Sequence, residues 1–163
     1  MLLLKLTAPI LLAQLSQTSM GFVDTIMAGR VGPVDLAAVA VGSSLFFPIF
    51  LFMVGLLSAV TPLAAQAHGR RDSADIFHSL QQGIVVGLIC GLLCMILLWQ
   101  LSPLFQLLDI SPEIASPAKR YLFAVSWGMP FAGVFLALRS GGEGVSLTRL
   151  SMLAGFCGLA VNI

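Results

Sequence analysis

Four apolar stretches, Leu6 to Ala28, Leu36 to Ala67, Leu80 to Leu101 and Tyr121 to Leu138, dominate this chain. Each falls near or above the roughly 20 residues a helix needs to cross a bilayer. A fifth begins near Leu150 and reaches Ile163 after only about 14 residues, short of a full crossing. The pattern predicts an all-α, polytopic helical membrane protein. Composition agrees, since 58% of the 163 residues are apolar and only 9% are charged, far outside the range of a water-soluble domain. The balance of eight basic and seven acidic residues supplies no field for nucleic acid.

Breakers and charges gather between the runs: Gly29 to Pro33, His68 to Asp72, Ser111 to Glu113, and Arg139 to Arg149. These connections are short, so consecutive helices are expected to run antiparallel. A cytoplasmic N-terminus places Lys5, Arg70, Arg71, Arg139 and Arg149 inside and Arg30, Lys119 and Arg120 outside, the arrangement the positive-inside rule favours. The first run is too long and too polar along one side for a cleaved signal. The second run carries Pro48 and Pro62 and is expected to bend at them. Glu113 to Arg120 reads as a short polar connection, with Tyr121 and Trp127 in an interfacial belt. Cys90, Cys94 and Cys157 lie inside apolar runs without ligand spacing, and read as packing residues rather than a disulfide or metal set. No metal site is expected.

Asp24 lies within the first run, where a carboxylate is costly and is a functional candidate for that reason. Thr7, Gln14, Gln17, Gly21 and Asp24 are spaced by three, four or seven residues and share one side of a helix. Lipid does not tolerate such a stripe, so it faces protein or a hydrated cavity. Asp24 sits about 10 Å along the helix from the middle of its span, against a half-thickness of about 15 Å. A pairing with Arg30, or capping of the following turn, therefore competes with a functional role. Gln14 and Gln17 serve equally well as interhelical hydrogen-bond partners, worth about 0.6 kcal/mol each.

The string PILLAQLSQTSMGFVDTIMAG from Pro9 to Gly29 resembles the first helix of the multidrug and toxic compound extrusion (MATE) family, NorM-type branch. DLAAVAVGSS from Asp35, TPLAAQAHG from Thr61, YLFAVSWGMP from Tyr121, Glu143-Gly144 and the closing LAVNI follow in the family's order. The resemblance implies part of one six-helix lobe of a twelve-helix transporter, built from two repeats that rock to alternate access. It implies export of amphipathic or cationic drugs from the cell, across the inner (plasma) membrane, by antiport against protons or sodium, with no other cofactor. Asp24 then matches the first-helix acid of the cavity and Asn162 a fifth-helix asparagine lining it, while Gln14, Gln17 and Met20 are cavity-lining candidates. The chain is expected to be an N-terminal fragment, inactive without the C-terminal lobe. One departure stands out: Thr148-Arg149 runs into Leu150 where the family usually has a proline.

Two other functions compete: a membrane scaffold assembling through Gly- and Ser-rich helices, and a lipid flippase of related architecture. An enzyme is not expected, because no HExxH, GxSxG, aspartate pair or Cys/His constellation occurs. His68 and His78 read as members of a solvated loop, and Glu143 as a loop-fixing partner of Arg139 or Arg149.

Overall fold

The computed structural model describes residues 11, 14, 15, 18, 19, 21–23, 25–27 and 29–147. Those between 11 and 31 are helical, and six helices follow: α1 (Pro33–Leu57), α2 (Val60–Gly69), α3 (Ser73–Trp99), α4 (Ser102–Leu107), α5 (Pro112–Ser126) and α6 (Met129–Gly144). No strand occurs among the described residues. The fifth apolar run, from Leu150, lies outside them.

Prolines explain where these helices break. A proline lacks an N–H and its ring crowds the carbonyl four residues earlier, so Pro62 excludes Ser58 and Pro130 excludes Ser126. The chain leaves the α-helix at Ser58–Ala59 and again at Trp127–Gly128. At the first break Thr61 N–H falls back to the Ser58 carbonyl at 3.1 Å, and residues Pro33–Gly69 remain one 37-residue span. At the second, α5 and α6 meet at a 48° bend. Pro48, by contrast, sits inside α1 without interrupting it.

Two elements extend past their apolar runs. Ser73 starts α3 because Asp72 caps it, its carboxylate accepting from Ala74 N and Asp75 N at 3.1 Å each. α5 begins at Pro112, so the Glu113–Arg120 stretch, expected as a connection, is helix instead. The reason is one-sided burial: Ala115, Ala118 and Leu122, at helical spacing, face the bundle while Glu113 and Arg120 stay outside.

The bundle's exterior departs from the pattern of a soluble protein. Ala38, Ala64, Ala67, Ala118 and Ala137 are buried, as are Cys90 and Cys94, both free thiols, in their expected packing role. Met53, Leu57, Phe105 and Leu122 share this core, but many other large apolar groups point outward, with Phe131 78%, Phe52 68% and Leu93 62% exposed. A surface this apolar suits hydrocarbon, where helices associate by close approach of small residues. Among the described residues Pro33–Gly69 and Ser73–Trp99 are long and apolar enough to cross a membrane, and the bent α5–α6 pair makes a third span if counted as one.

The closest approach is between α3 and α6. Gly83, Gly87 and Gly91 recur every fourth residue on α3, opposite Met129, Gly133 and Ala137 on α6 in antiparallel order. A Cβ on Gly87 would lie 2.5 Å from the Gly133 carbonyl oxygen, and one on Gly91 2.5 Å from that of Met129. A Cβ on Gly133 would collide with the Gly87 carbonyl. Only glycine permits this crossing.

Candidate transport site

The polar stripe of the first helix is where the sequence placed the site. Of its members the structure describes Gln14 and Gly21, both helical and both exposed. Asp24, Gln17, Met20 and Asn162 lie outside the described residues. The described hydroxyls on this segment are satisfied by its own backbone: Thr18 donates to the Gln14 carbonyl at 3.0 Å, Ser19 to that of Leu15 at 2.8 Å and Thr25 to that of Gly21 at 2.8 Å. Back-bonding of this kind lets hydroxyl residues occupy an apolar setting without outside partners. Gln14 itself is exposed on this helix.

Two charged features sit at the ends of the spans. In the turn between α2 and α3, the exposed Arg70 pairs with Asp75, and His68 and His78 are exposed, His78 contacting Gln82 at 3.0 Å. Near the end of α6, Arg139 Nε donates to Glu143 Oε1 at 2.8 Å across one helical turn. Glu143 thus has the structural partner expected of it. Thr61 Oγ1 donates to the Ser140 carbonyl at 3.1 Å, tying α2 to the same end of α6.

At the opposite end of α3 a cavity of about 580 Å³ opens, which the sequence did not single out. Its walls include Trp99 and Phe105, Lys119 and Arg120, and Leu122 and Phe123. Lys119 Nζ stands 5.5 Å from the centre of the Phe105 ring, within cation–π range. Trp99 is fixed by Ser126, the one buried polar side chain among the described residues. Trp99 Nε1 donates to Ser126 Oγ at 2.8 Å, and Ser126 Oγ donates to the Phe123 carbonyl at 2.7 Å. Trp99, Phe123 and Trp127 cluster beside it, with ring centres 5.6 to 6.3 Å apart. Among the described lining residues two are cations and none is a carboxylate, a setting that favours an anion.

An all-α bundle with spans of membrane-crossing length and many large apolar side chains on its outside is a polytopic membrane protein. Comparison with known proteins specifies it further: the MatE family model matches residues 9–163, and the chain belongs to that family. It is 42% identical over 161 residues to the multidrug resistance protein NorM of Aliivibrio fischeri (strain ATCC 700601 / ES114). It is 45% identical over 162 residues to the multidrug resistance protein MdtK of Yersinia pestis (strain Pestoides F), and equally to that of Yersinia pseudotuberculosis serotype O:1b (strain IP 31758). Each alignment covers 99% of this chain but 35% of the relative, so the chain spans about a third of the length of these relatives.

Proposed function

We propose that this chain forms part of the N-terminal lobe of a secondary multidrug exporter of the inner membrane, with a cytoplasmic N-terminus. In this reading Asp24 couples entry of a proton or sodium ion to expulsion of an amphipathic or cationic drug. The observation that carries it is the end-to-end alignment, at 42–45% identity, with proteins named for multidrug resistance. Asp24 within an apolar run supports the coupling role, because a carboxylate in low dielectric, among amides, holds either a proton or a metal ion. Protonation removes its charge and changes its hydrogen bonds, and a helix with two arrangements can use that change to open or close a cavity. Asn162 is assigned to the same ion site, and Gln14, Gln17 and Met20 to the drug-facing wall. No enzymatic step is assigned.

Alternating access needs two walls that move against each other. Export is therefore a property of the twelve-helix assembly, and this stretch by itself is proposed to be inactive. A scaffold assembling through its glycine-rich helices fits less well, because Gly83, Gly87 and Gly91 are already consumed inside the bundle against α6.

The test is ethidium efflux from drug-sensitive cells expressing this chain, or the chain extended with a C-terminal lobe, each with and without Asp24→Asn at matched membrane abundance. Efflux driven by a cation gradient is expected only from the extended, unsubstituted form. Undiminished coupling in Asp24→Asn would remove Asp24 from the mechanism. Activity of the unextended chain would overturn the need for a second lobe, and lipid scrambling without efflux would replace drug export with flippase function.

A further inference from the structure

We propose that the cavity between the end of α3, the short α4 and the second half of α5 is a binding site for an anionic phospholipid, with the lipid phosphate held by Lys119 and Arg120. The inference stands on position, shape and charge, and is independent of the coupling role given to Asp24.

Position comes first. α3 has 27 residues, about 40 Å of helix, against a hydrocarbon thickness of about 30 Å. The polar start of α3, Ser73 to His78, takes up the excess, and its apolar part from Leu80 reaches Trp99 about 30 Å on, at the edge of the hydrocarbon. Lys119 and Arg120 line the same cavity as Trp99, and the apolar run from Tyr121 starts immediately after them. The cavity thus lies where hydrocarbon gives way to headgroups, the level at which Trp is enriched and basic side chains reach for phosphate. Exposed Leu93, Ile96 and Leu97 on α3, with Phe123 and Trp127 on the other side, continue from it along the span. An acyl chain can follow that surface.

Charge then selects the headgroup. Two cations face the cavity and none of its described lining residues is acidic. A phosphate satisfies both cations, and the choline or ethanolamine of a zwitterionic lipid finds no carboxylate there. Near a membrane surface each basic residue favours an anionic lipid by an amount that corresponds to about fivefold. A preference of about tenfold or more is expected from the pair. A cavity of about 580 Å³ holds a headgroup with the first part of its chains, in the size range of small-molecule sites.

The chain offers its own reporter, since it has two tryptophans, Trp99 in the cavity wall and Trp127 beside it at 5.8 Å between ring centres. With Trp127→Phe as background, Trp99 fluorescence in the full chain is titrated with phosphatidylglycerol brominated on its acyl chains, and separately with equally brominated phosphatidylcholine. Half-maximal quenching by phosphatidylglycerol is expected at about tenfold lower mole fraction. Lys119→Gln with Arg120→Gln should bring the two lipids level, and Lys119→Arg with Arg120→Lys should preserve the gap. Equal quenching by both lipids in the Trp127→Phe background overturns the site, as does selectivity that survives loss of both cations. Erasure of the selectivity by millimolar inorganic phosphate would make it a soluble-anion site and overturn the lipid assignment.

Discussion

Where α3 crosses α6, backbone rests on backbone; where α1 crosses α5, a tyrosine ring fills the gap. In the first seam a Cβ on Gly87 or Gly91 would meet a main-chain carbonyl at 2.5 Å. In the second, a Cβ on Gly42 would lie 2.6 Å from Tyr121 Cδ1, and the nearest backbone atom, the Ala118 carbonyl oxygen, is 3.7 Å away. The same residue type serves both seams, yet one cannot yield and the other can. A ring at the end of a side chain moves by rotating; a carbonyl moves only with its helix. The α3–α6 pair is therefore the rigid half of the bundle, and the α1–α5 pair is the half that can adjust.

Gly133→Ala probes that difference most severely. Alanine gains about 1 kcal/mol of helix propensity over glycine, but here its methyl collides with the Gly87 carbonyl and forces the two helices apart along the whole seam. Overpacking of this kind costs about 3 kcal/mol at the upper end of its usual range, so the net loss is about 2 kcal/mol or more. Unfolding in mixed detergent micelles should show it, and wild-type stability in Gly133→Ala would mean that the seam is no tighter than the α1–α5 contact.

Ser126→Ala comes next and tests whether the rigid half extends to the aromatic end of α3. The substitution strands the indole N–H of Trp99, which donates to Ser126 Oγ at 2.8 Å. An orphaned donor costs about 1–3 kcal/mol, reduced here because Trp99 is itself partly exposed. A loss near 1 kcal/mol is expected. Trp99→Phe in the same background removes the stranded donor, so a double-mutant cycle should show coupling of at least about 0.5 kcal/mol. Additive effects would mean that the bond contributes nothing.

The spans were legible because an apolar run is a property of consecutive residues. Of the two prolines expected to bend the second run, Pro62 follows a helix break while Pro48 lies inside an unbroken helix, and the break before Pro130, within the run from Tyr121, was not foreseen. The first half of α5 was not legible in that way. Its residues are polar, and only burial of Ala115 and Ala118 against α1 and its neighbours shows why they form a helix rather than a connection. Three helix ends were also silent. α2, α4 and α6 each close with a left-handed residue that is not glycine: Arg71 (φ 56°), Asp109 (φ 52°) and Ser146 (φ 64°). The bonds that close such ends are present, with Asp72 N–H to the Ala67 carbonyl at 3.1 Å and Leu147 N–H to Gly142 at 2.7 Å, but no glycine announces them. Gly83, Gly87 and Gly91 show their four-residue spacing in the sequence, whereas their partners lie some 40 residues on and only the fold joins them. The cavity is alike in this: Lys119 and Arg120 read as boundary residues, and the facing wall at Trp99 is distant in the chain. Of the candidate transport residues, Asp24 was legible from cost alone, because a carboxylate in an apolar run needs a reason to be there, and Gln14 is the member whose exposed place on the helix the structure describes.

The mildest test falls on the adjustable seam. Gly42→Ala must displace the Tyr121 ring, which is half-buried and whose hydroxyl lies 3.4 Å from Ser43 Oγ, too long for a strong bond between hydroxyls. Turning the ring away sacrifices little hydrogen bonding and some packing, about 1 kcal/mol, and alanine returns about 1 kcal/mol in helix propensity. The two nearly cancel, so stability in mixed micelles should change by less than about 0.5 kcal/mol, within the range of an ordinary surface substitution. Tyr121→Leu removes the ring that Gly42→Ala displaces, and in that background the alanine should become stabilising by up to about 1 kcal/mol. A loss for Gly42→Ala as large as that for Gly133→Ala would erase the distinction between the seams. It would mean that Tyr121 is held as firmly as a carbonyl, and that the α1–α5 half of the bundle is as rigid as the half closed by glycine.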